Sequence, residues 1–484
     1  MRLEMRCGAV QNGIEAVVVL LAVIGGAVCP GEARPAPAFS VSTGTDRLGK
    51  GPFPDRRAQT VRQSNPPVHS NSLVLPASSR EEPHSGSSAV SPADFAFGQA
   101  GPASSSGPVA WVKGDHRIVP YGILWGSARY DTSRASPGPY VLWVASSADE
   151  GEPTFEIDTR RTRIGLQLES LRVAAFGNAQ LRGQVEVDFH GSFVVENKPG
   201  VLLRHAFGEL VGDRWRLLAG QTNDIFSPLF PNSLNYSVGW AAGNIGYRRM
   251  QIRWEQEFDL SEDVGCLIQA AIAQNIVSDF RMAQGVEPES TSWPILEGRV
   301  AFTVDDLFAL SPDAPAAVIG LGGHVGQQGF DFTTAAPPPL NLAPEDDARI
   351  LTWSFNVDVQ IPLTERTGLR GEFFFGDDLS TFLGGILQGV NPITRQPIRT
   401  FGGWIELYHH WTARWHSYCG WSVDDPRADF PGARTNNEYI YVNATHDVTS
   451  HLNLGFEIRW WRTHFAGMPP GEAVHFEFAG AYTF

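Results

Sequence analysis

The sequence predicts an all-β protein: a transmembrane antiparallel β-barrel of about sixteen strands behind a disordered N-terminal segment. Three observations lead there. Segments of about ten residues alternate strictly between apolar and polar side chains, the length and period that a membrane-crossing barrel strand requires. The connections between these segments alternate between long and short. A leader of secretory type opens the chain, and no later stretch is apolar and long enough for a membrane-spanning helix.

Composition narrows the classes first. The chain has 484 residues, of which 42% are apolar and 18% charged, with 50 glycines, 14 tryptophans and 10 tyrosines. That is too polar for a helical membrane bundle, but a barrel needs apolar side chains only at alternate positions. A formal charge of -15 argues against a nucleic-acid partner, whose footprint is basic. Lysine occurs only at Lys50, Lys113 and Lys198, so nearly every cation is an arginine, whose planar fork suits carboxylates and phosphates. Cys7, Cys29, Cys266 and Cys419 show neither metal-ligand nor disulfide-framework spacing.

Arg2 and Arg6 precede the apolar run from Ala16 to Val28, with small residues at Gly31 and Ala33, so residues 1–33 read as a signal peptide cleaved after Ala33. Residues 34–116 are rich in Pro, Ser, Gly and Ala without periodicity, the composition of a disordered linker. The barrel is expected over 117–484. In QLRGQVEVDFH, Leu181, Val185 and Val187 fall on one face against Arg182, Glu186 and Asp188. ILTWSFNVDVQI sets Leu351, Phe355 and Val357 against Thr352, Asn356 and Asp358. LNLGFEIRWW repeats the scheme, and the closing VHFEFAGAYTF sets Val474, Phe476, Phe478, Tyr482 and Phe484 against His475, Glu477 and Thr483.

Links after even-numbered strands are mostly short, such as Gly212-Asp213, and those after odd-numbered strands mostly long. This is the asymmetry of an outer-membrane barrel, whose periplasmic turns are short and whose outer loops are long. An even strand count puts both termini in the periplasm. The terminal strand ending in Phe484 resembles the C-terminal signature of Gram-negative outer-membrane barrels. That resemblance implies an insertion signal read by the barrel-assembly machinery, and outer-membrane lipid around the apolar face.

Polar faces then line the lumen. They carry Arg161, Arg163, Arg182, Arg253, Arg299, Arg370, Arg414 and Arg459 beside Glu169, Glu186, Asp188, Glu255, Glu297, Glu372, Glu406, Glu457 and Glu477. Mixed signs across a water-filled lumen create a transverse field that orients polar solutes. Arg161, Arg163, Arg182 and Arg253 are the expected contacts for carboxylate or phosphate groups. The connection from Asn223 to Asn244 exceeds ordinary loops and is stiffened by Pro228 and Pro231, with Asp224, Ser227, Asn232, Ser233 and Asn235 as its polar groups.

TRRTRIGLQLE, LLRHAFGEL, RLLAGQTNDIFSPLFPNSLN and AGNIGYRRMQIRWE resemble segments of the DcaP-like family of trimeric outer-membrane porins. The similarity covers roughly residues 155–256, with FLGGILQGVN at 382–391 as weaker support. It implies a homotrimer taking up small, often anionic solutes passively, with the loop from Asn223 folded inward as a constriction. Residues 34–116 lack the heptads of that family's N-terminal coiled coil.

Enzyme, metal and cofactor signatures are missing: there is no G-x-S-x-G elbow, no H-E-x-x-H and no phosphate loop ending in Lys. His409, His410 and His416 surround one tight turn, where an interfacial girdle is the expected role rather than a metal site. The sequence therefore points to a porin for small hydrophilic, anionic solutes. A non-conducting structural or adhesive barrel and a barrel hydrolase are the alternatives.

Overall fold

The structure is a computed structural model that describes residues 109–149, 151–191, 199–277, 285–311 and 314–484. The expected signal peptide, 1–33, and the linker up to residue 108 lie outside the described residues. The chain runs through β1 (Trp111–Lys113), β2 (His116–Asp131), β3 (Ala135–Pro137), β4 (Val141–Val144), β5 (Thr154–Asp158), β6 (Arg163–Val173) and β7 (Ala179–Asp188). It continues through β8 (Leu202–Val211), β9 (Trp215–Asn223), β10 (Arg248–Asp259), β11 (Val264–Ala273), β12 (Val286–Glu289), β13 (Ile295–Val304) and β14 (Ala317–Phe332). The last strands are β15 (Glu345–Pro362), β16 (Thr367–Asp377), β17 (Arg399–His410), β18 (Trp415–Pro426), β19 (Arg434–Asp447), β20 (Leu452–Phe465) and β21 (Met468–Thr483).

Nineteen of these strands belong to one sheet. Three are additions to it: β1 pairs back on β2, β5 extends the line of β6 beyond a turn at Thr159–Thr162, and β12 lengthens the edge of β14. The other sixteen pair in antiparallel succession and close between β2 and β21, with Ile123 opposite Thr483 and Asp131 opposite His475. All sixteen match the segments expected from alternation. Closing the sheet removes its edges, so no row of backbone donors meets lipid unpaired. β1 lies within the span expected to be linker.

Burial is inverted relative to a water-soluble protein. Leu181, Val185, Phe355, Phe456 and Phe478 are exposed, whereas Asp188, Asp358, Glu457 and Arg459 are at most 1% exposed. A barrel whose outside is apolar and whose charges lie within is solvated by hydrocarbon on one surface and by water and its own polar groups on the other. Among the described residues no helix is long and apolar enough to cross a membrane.

Connection lengths follow the expected asymmetry with two exceptions: β20 and β21 are joined by a tight turn at the long-loop end, and residues 305–316 make a longer link at the other. The seam ends on reciprocal backbone hydrogen bonds of 3.1 Å between Gly122 and Phe484. The Phe484 ring crosses Gly122 so closely that a Cβ there would lie 2.5 Å from it. Glycine at this position lets the terminal aromatic lie across the seam.

Gly122→Val should therefore block the terminal ring, cost about 1–3 kcal/mol by overpacking, and lower the yield of folded barrel. Heat-modifiable gel mobility after refolding measures it, with Gly126→Val, where the backbone leaves open space, as the control.

Candidate functional site

Between β9 and β10 the chain turns into the barrel. Residues 224–247 contain no regular strand, so their backbone donors need other partners. Inward carboxylates from four separate strands supply them. Glu297 accepts from Ile225 N–H at 3.0 Å, and Glu372 from Leu229 N–H at 2.7 Å and the Ser227 hydroxyl at 2.6 Å. Glu406 accepts from the backbone and side-chain amides of Asn232 at 2.7 and 3.0 Å. Glu457 accepts from Leu234 N–H at 2.9 Å and the Ser233 hydroxyl at 2.8 Å.

The loop's two ends are joined by Asp224, which accepts from Tyr247 N–H at 2.9 Å and Arg249 Nε at 2.8 Å. The loop thus runs to Tyr247, beyond Asn244 where the sequence suggested a strand. Gly246, at φ +94°, breaks the extension there, and its N–H donates to Phe382 O at 2.8 Å. Gly243 lies so near the wall that a Cβ would come within 2.3 Å of Gly403 O.

Two further pieces of chain pack on this loop. Residues 378–398 include the short turns Ser380–Phe382 and Gly385–Leu387; Leu383 O accepts from Ala241 N–H at 2.8 Å, and Asp424 accepts from Ile386 N–H at 3.1 Å. The β3–β4 hairpin is the second: Asn235 accepts from Val141 N–H at 3.1 Å, and Asn437 donates to Leu142 O at 2.7 Å. Val141 and Val144 are buried against Tyr439, Tyr441 and Trp461 of the inner wall.

The expected arginines take distinct places. Arg161 donates to Leu234 O at 2.6 Å and lies 4.3 Å over the Trp125 ring. Arg182 is exposed and bonded to Gln180 at 2.7 Å. Arg253 donates to Gln251 at 2.9 Å and to Asn223 O. Arg299 pairs with Asp358 at 2.6 Å, Arg370 with Glu406 at 2.6 Å, and Arg459 with Glu457 and Glu477 at 2.5 and 2.7 Å. Glu186 and Asp188 share Arg204, at 2.6 and 2.9 Å.

Of the loop residues, Asp224, Ser227, Asn232 and Asn235 are all buried contacts, and Asn223 ends β9. The sequence reading missed Arg204, Arg248 and the aromatic group beside them. Tyr236 donates to Asp188 at 2.9 Å and stacks on His190 at 3.6 Å, with Tyr140 at 5.2 Å. Burial holds the His190 imidazole neutral, its pKa pushed down to about 4. Arg248 is 5% exposed, lies 4.9 Å over the Tyr247 ring, and has no hydrogen-bond partner at Nε or Nη2; Arg163 has none at Nε. Strict alternation would have turned Arg248 outward with Met250 and Ile252, but both Arg248 and Arg249 are buried where the strand emerges from the loop, so parity gave no signal for it.

A Ser–His contact does occur, with Ser354 Oγ 2.7 Å from His324 Nδ1. The other ring nitrogen meets the Thr352 hydroxyl rather than a carboxylate, and the ring is stacked on Phe382 at 3.8 Å inside the barrel.

No protein-family model matches the chain, and no curated protein matches its sequence. Its fold is that of the outer membrane channel DcaP of Acinetobacter baumannii, with 15% identity, 77% of this chain and 99% of that one covered, and a TM-score of 0.59. Looser likenesses, too loose to add to that comparison, are the anion-selective porin from Comamonas acidovorans and Pseudomonas putida OprB. They share 11% identity each, cover 76% and 75% of this chain and 100% and 94% of theirs, and have TM-scores of 0.47. A closed barrel with an apolar exterior and a charged interior is built to cross a membrane with its strands.

Glu457→Ala leaves two loop donors without a partner, at about 1–3 kcal/mol each, and should lower the melting temperature and raise protease cleavage within 224–247. Asp378, fully buried in the second inward loop, supplies a pH test, because burial pushes its carboxyl from the ordinary 3.8 up to about 8. Between those values the folded chain holds a proton that the unfolded chain has lost, so stability falls as pH rises from 4 towards 8. Melting curves should show that fall diminished in Asp378→Asn.

Proposed function

We propose that the barrel is a passive porin for small hydrophilic solutes, favouring anions, with residues 223–247 setting its aperture. The observation that carries this reading is an imbalance of partners. The loop engages Glu297, Glu372, Glu406 and Glu457, whereas Arg163 and Arg248 have no ion-pair partner among the described residues and keep buried guanidinium nitrogens without a hydrogen bond, against one unpartnered oxygen each on Glu297 and Asp378. Donors left free in a low-dielectric wall favour a solute that brings carboxylate or phosphate oxygens. Diffusion past them follows the solute's own gradient, with the field selecting by charge.

DcaP of A. baumannii is an outer membrane channel, and the shared fold makes the same role the natural assignment here. A homotrimer, with the strand ending at Phe484 read by the barrel-assembly machinery, completes the proposal.

Planar-bilayer recordings of the refolded chain across a KCl gradient should give steady conductance and a reversal potential of anion-preferring sign. Arg248→Gln should shift that potential towards cations, and deleting 226–244 should raise the conductance. Cation preference in the unaltered protein refutes the anion part; a sealed bilayer refutes the porin.

A further inference from the structure

At the short-turn mouth of the lumen, β17 and β18 meet in a tight turn, and His410 and His416 face each other in direct register on its two sides. The turn is held by Thr412, whose Oγ1 accepts from Arg414 N–H at 3.1 Å and Trp415 N–H at 3.0 Å. Both imidazoles are partly buried, follow the inward parity of Glu406, and bring their Nδ1 atoms to 2.8 Å. The ring planes are 81° apart, with centroids 4.8 Å apart.

His416 Nε2 lies 3.2 Å from Asp447, whose other oxygen accepts from the Asn453 side-chain amide at 2.5 Å. A carboxylate there keeps the ring proton on Nε2 and leaves Nδ1 with a lone pair aimed at His410, the arrangement that orients a metal-binding imidazole. Tyr418 lies beyond the pair, its ring centroid 6.4 Å from that of His410. His409 belongs to the opposite face, bonded to Thr367 at 2.8 Å and packed on Trp411.

We propose that His410 and His416 bind one divalent transition-metal ion of the copper(II) class, with Asp447 as the positioning carboxylate. The donor type decides the class, because imidazole nitrogens bind copper(II) more tightly than they bind the other divalent first-row ions. Two nitrogens in neighbouring positions of a square-planar ion, with bonds of about 2.0 Å, stand about 2.8 Å apart, and a tetrahedral ion would hold them at about 3.3 Å. The pair's hydrogen-bonded spacing of 2.8 Å brings both nitrogens within reach of one ion, which takes the place of the single proton they otherwise share. Among the described residues no set of three or more His, Cys, Asp or Glu side chains is arranged to hold a metal. The remaining positions of this ion would therefore be open to water or to a passing solute's oxygens.

The experiment is a CuCl2 titration of the full chain folded in detergent, followed by calorimetry and by electron paramagnetic resonance, neither of which depends on conductance. The proposal expects a tetragonal signal with two equivalent nitrogen couplings. It also expects affinity at least tenfold weaker in His410→Gln and His416→Gln, about tenfold or more weaker in Asp447→Asn, and unchanged in His409→Gln. Heat-modifiable mobility establishes that each variant is folded. A single-nitrogen signal in the unaltered protein, or affinity in His416→Gln equal to that of the unaltered chain, overturns the assignment.

Discussion

The interior depends on one requirement: an irregular segment placed inside a barrel must find an acceptor for each backbone N–H that a strand would have paired. Here the acceptors are carboxylates projecting from β13, β16, β17 and β20, met one after another by Ile225, Leu229, Asn232 and Leu234. Because the four strands are spread around the wall, the loop is drawn along it rather than left hanging from its ends. Residues 378–398 and the β3–β4 hairpin then bond to that fixed loop, so three separate pieces of chain act as one inner layer.

The same carboxylates do two jobs. Glu406 takes the Asn232 amide while bonded to Arg370, and Glu457 takes Leu234 N–H while paired with Arg459. A buried carboxylate with several donors around it is satisfied where one with a single donor would be costly; at Glu406 and Glu457 an arginine supplies part of that set, whereas Glu372 takes its donors from the loop itself. The lattice of arginines and acids and the position of the loop are therefore not independent features of the wall.

Much of the frame was legible from alternation, since a period of two with a charge-free face records which side meets lipid. Segments such as 178–190 and 451–463 needed no tertiary information. The loop was legible by its length and its prolines. Its anchors were not, because Asn232 and Glu406 are separated by 174 residues and no local pattern links them. Arg161 and Arg253, expected to meet a solute, spend donors on Leu234 O and Asn223 O. Alternation gives the direction of a side chain but not the competitor that arrives first. The turn at Thr159–Thr162 shows the other limit, since a break in a strand resets the parity on which such readings rest.

Net charge and lumen charge are separate quantities in such a molecule. The chain is formally at -15, yet Asp259, Glu262, Asp263 and Asp305 gather at the short-turn rim, outside the path between the loops. Glu297, Glu372, Glu406 and Glu457 are held by the loop, and Glu186 and Asp188 by Arg204. Among the described residues, Arg163 and Arg248 differ from Arg370 and Arg459, which each have one unpartnered nitrogen, in having no ion pair at all, while one oxygen each of Glu297 and Asp378 is likewise without a donor. On the proposed reading an acidic chain presents a cationic passage, because what a solute would meet is the remainder after the wall has bonded to its own loop.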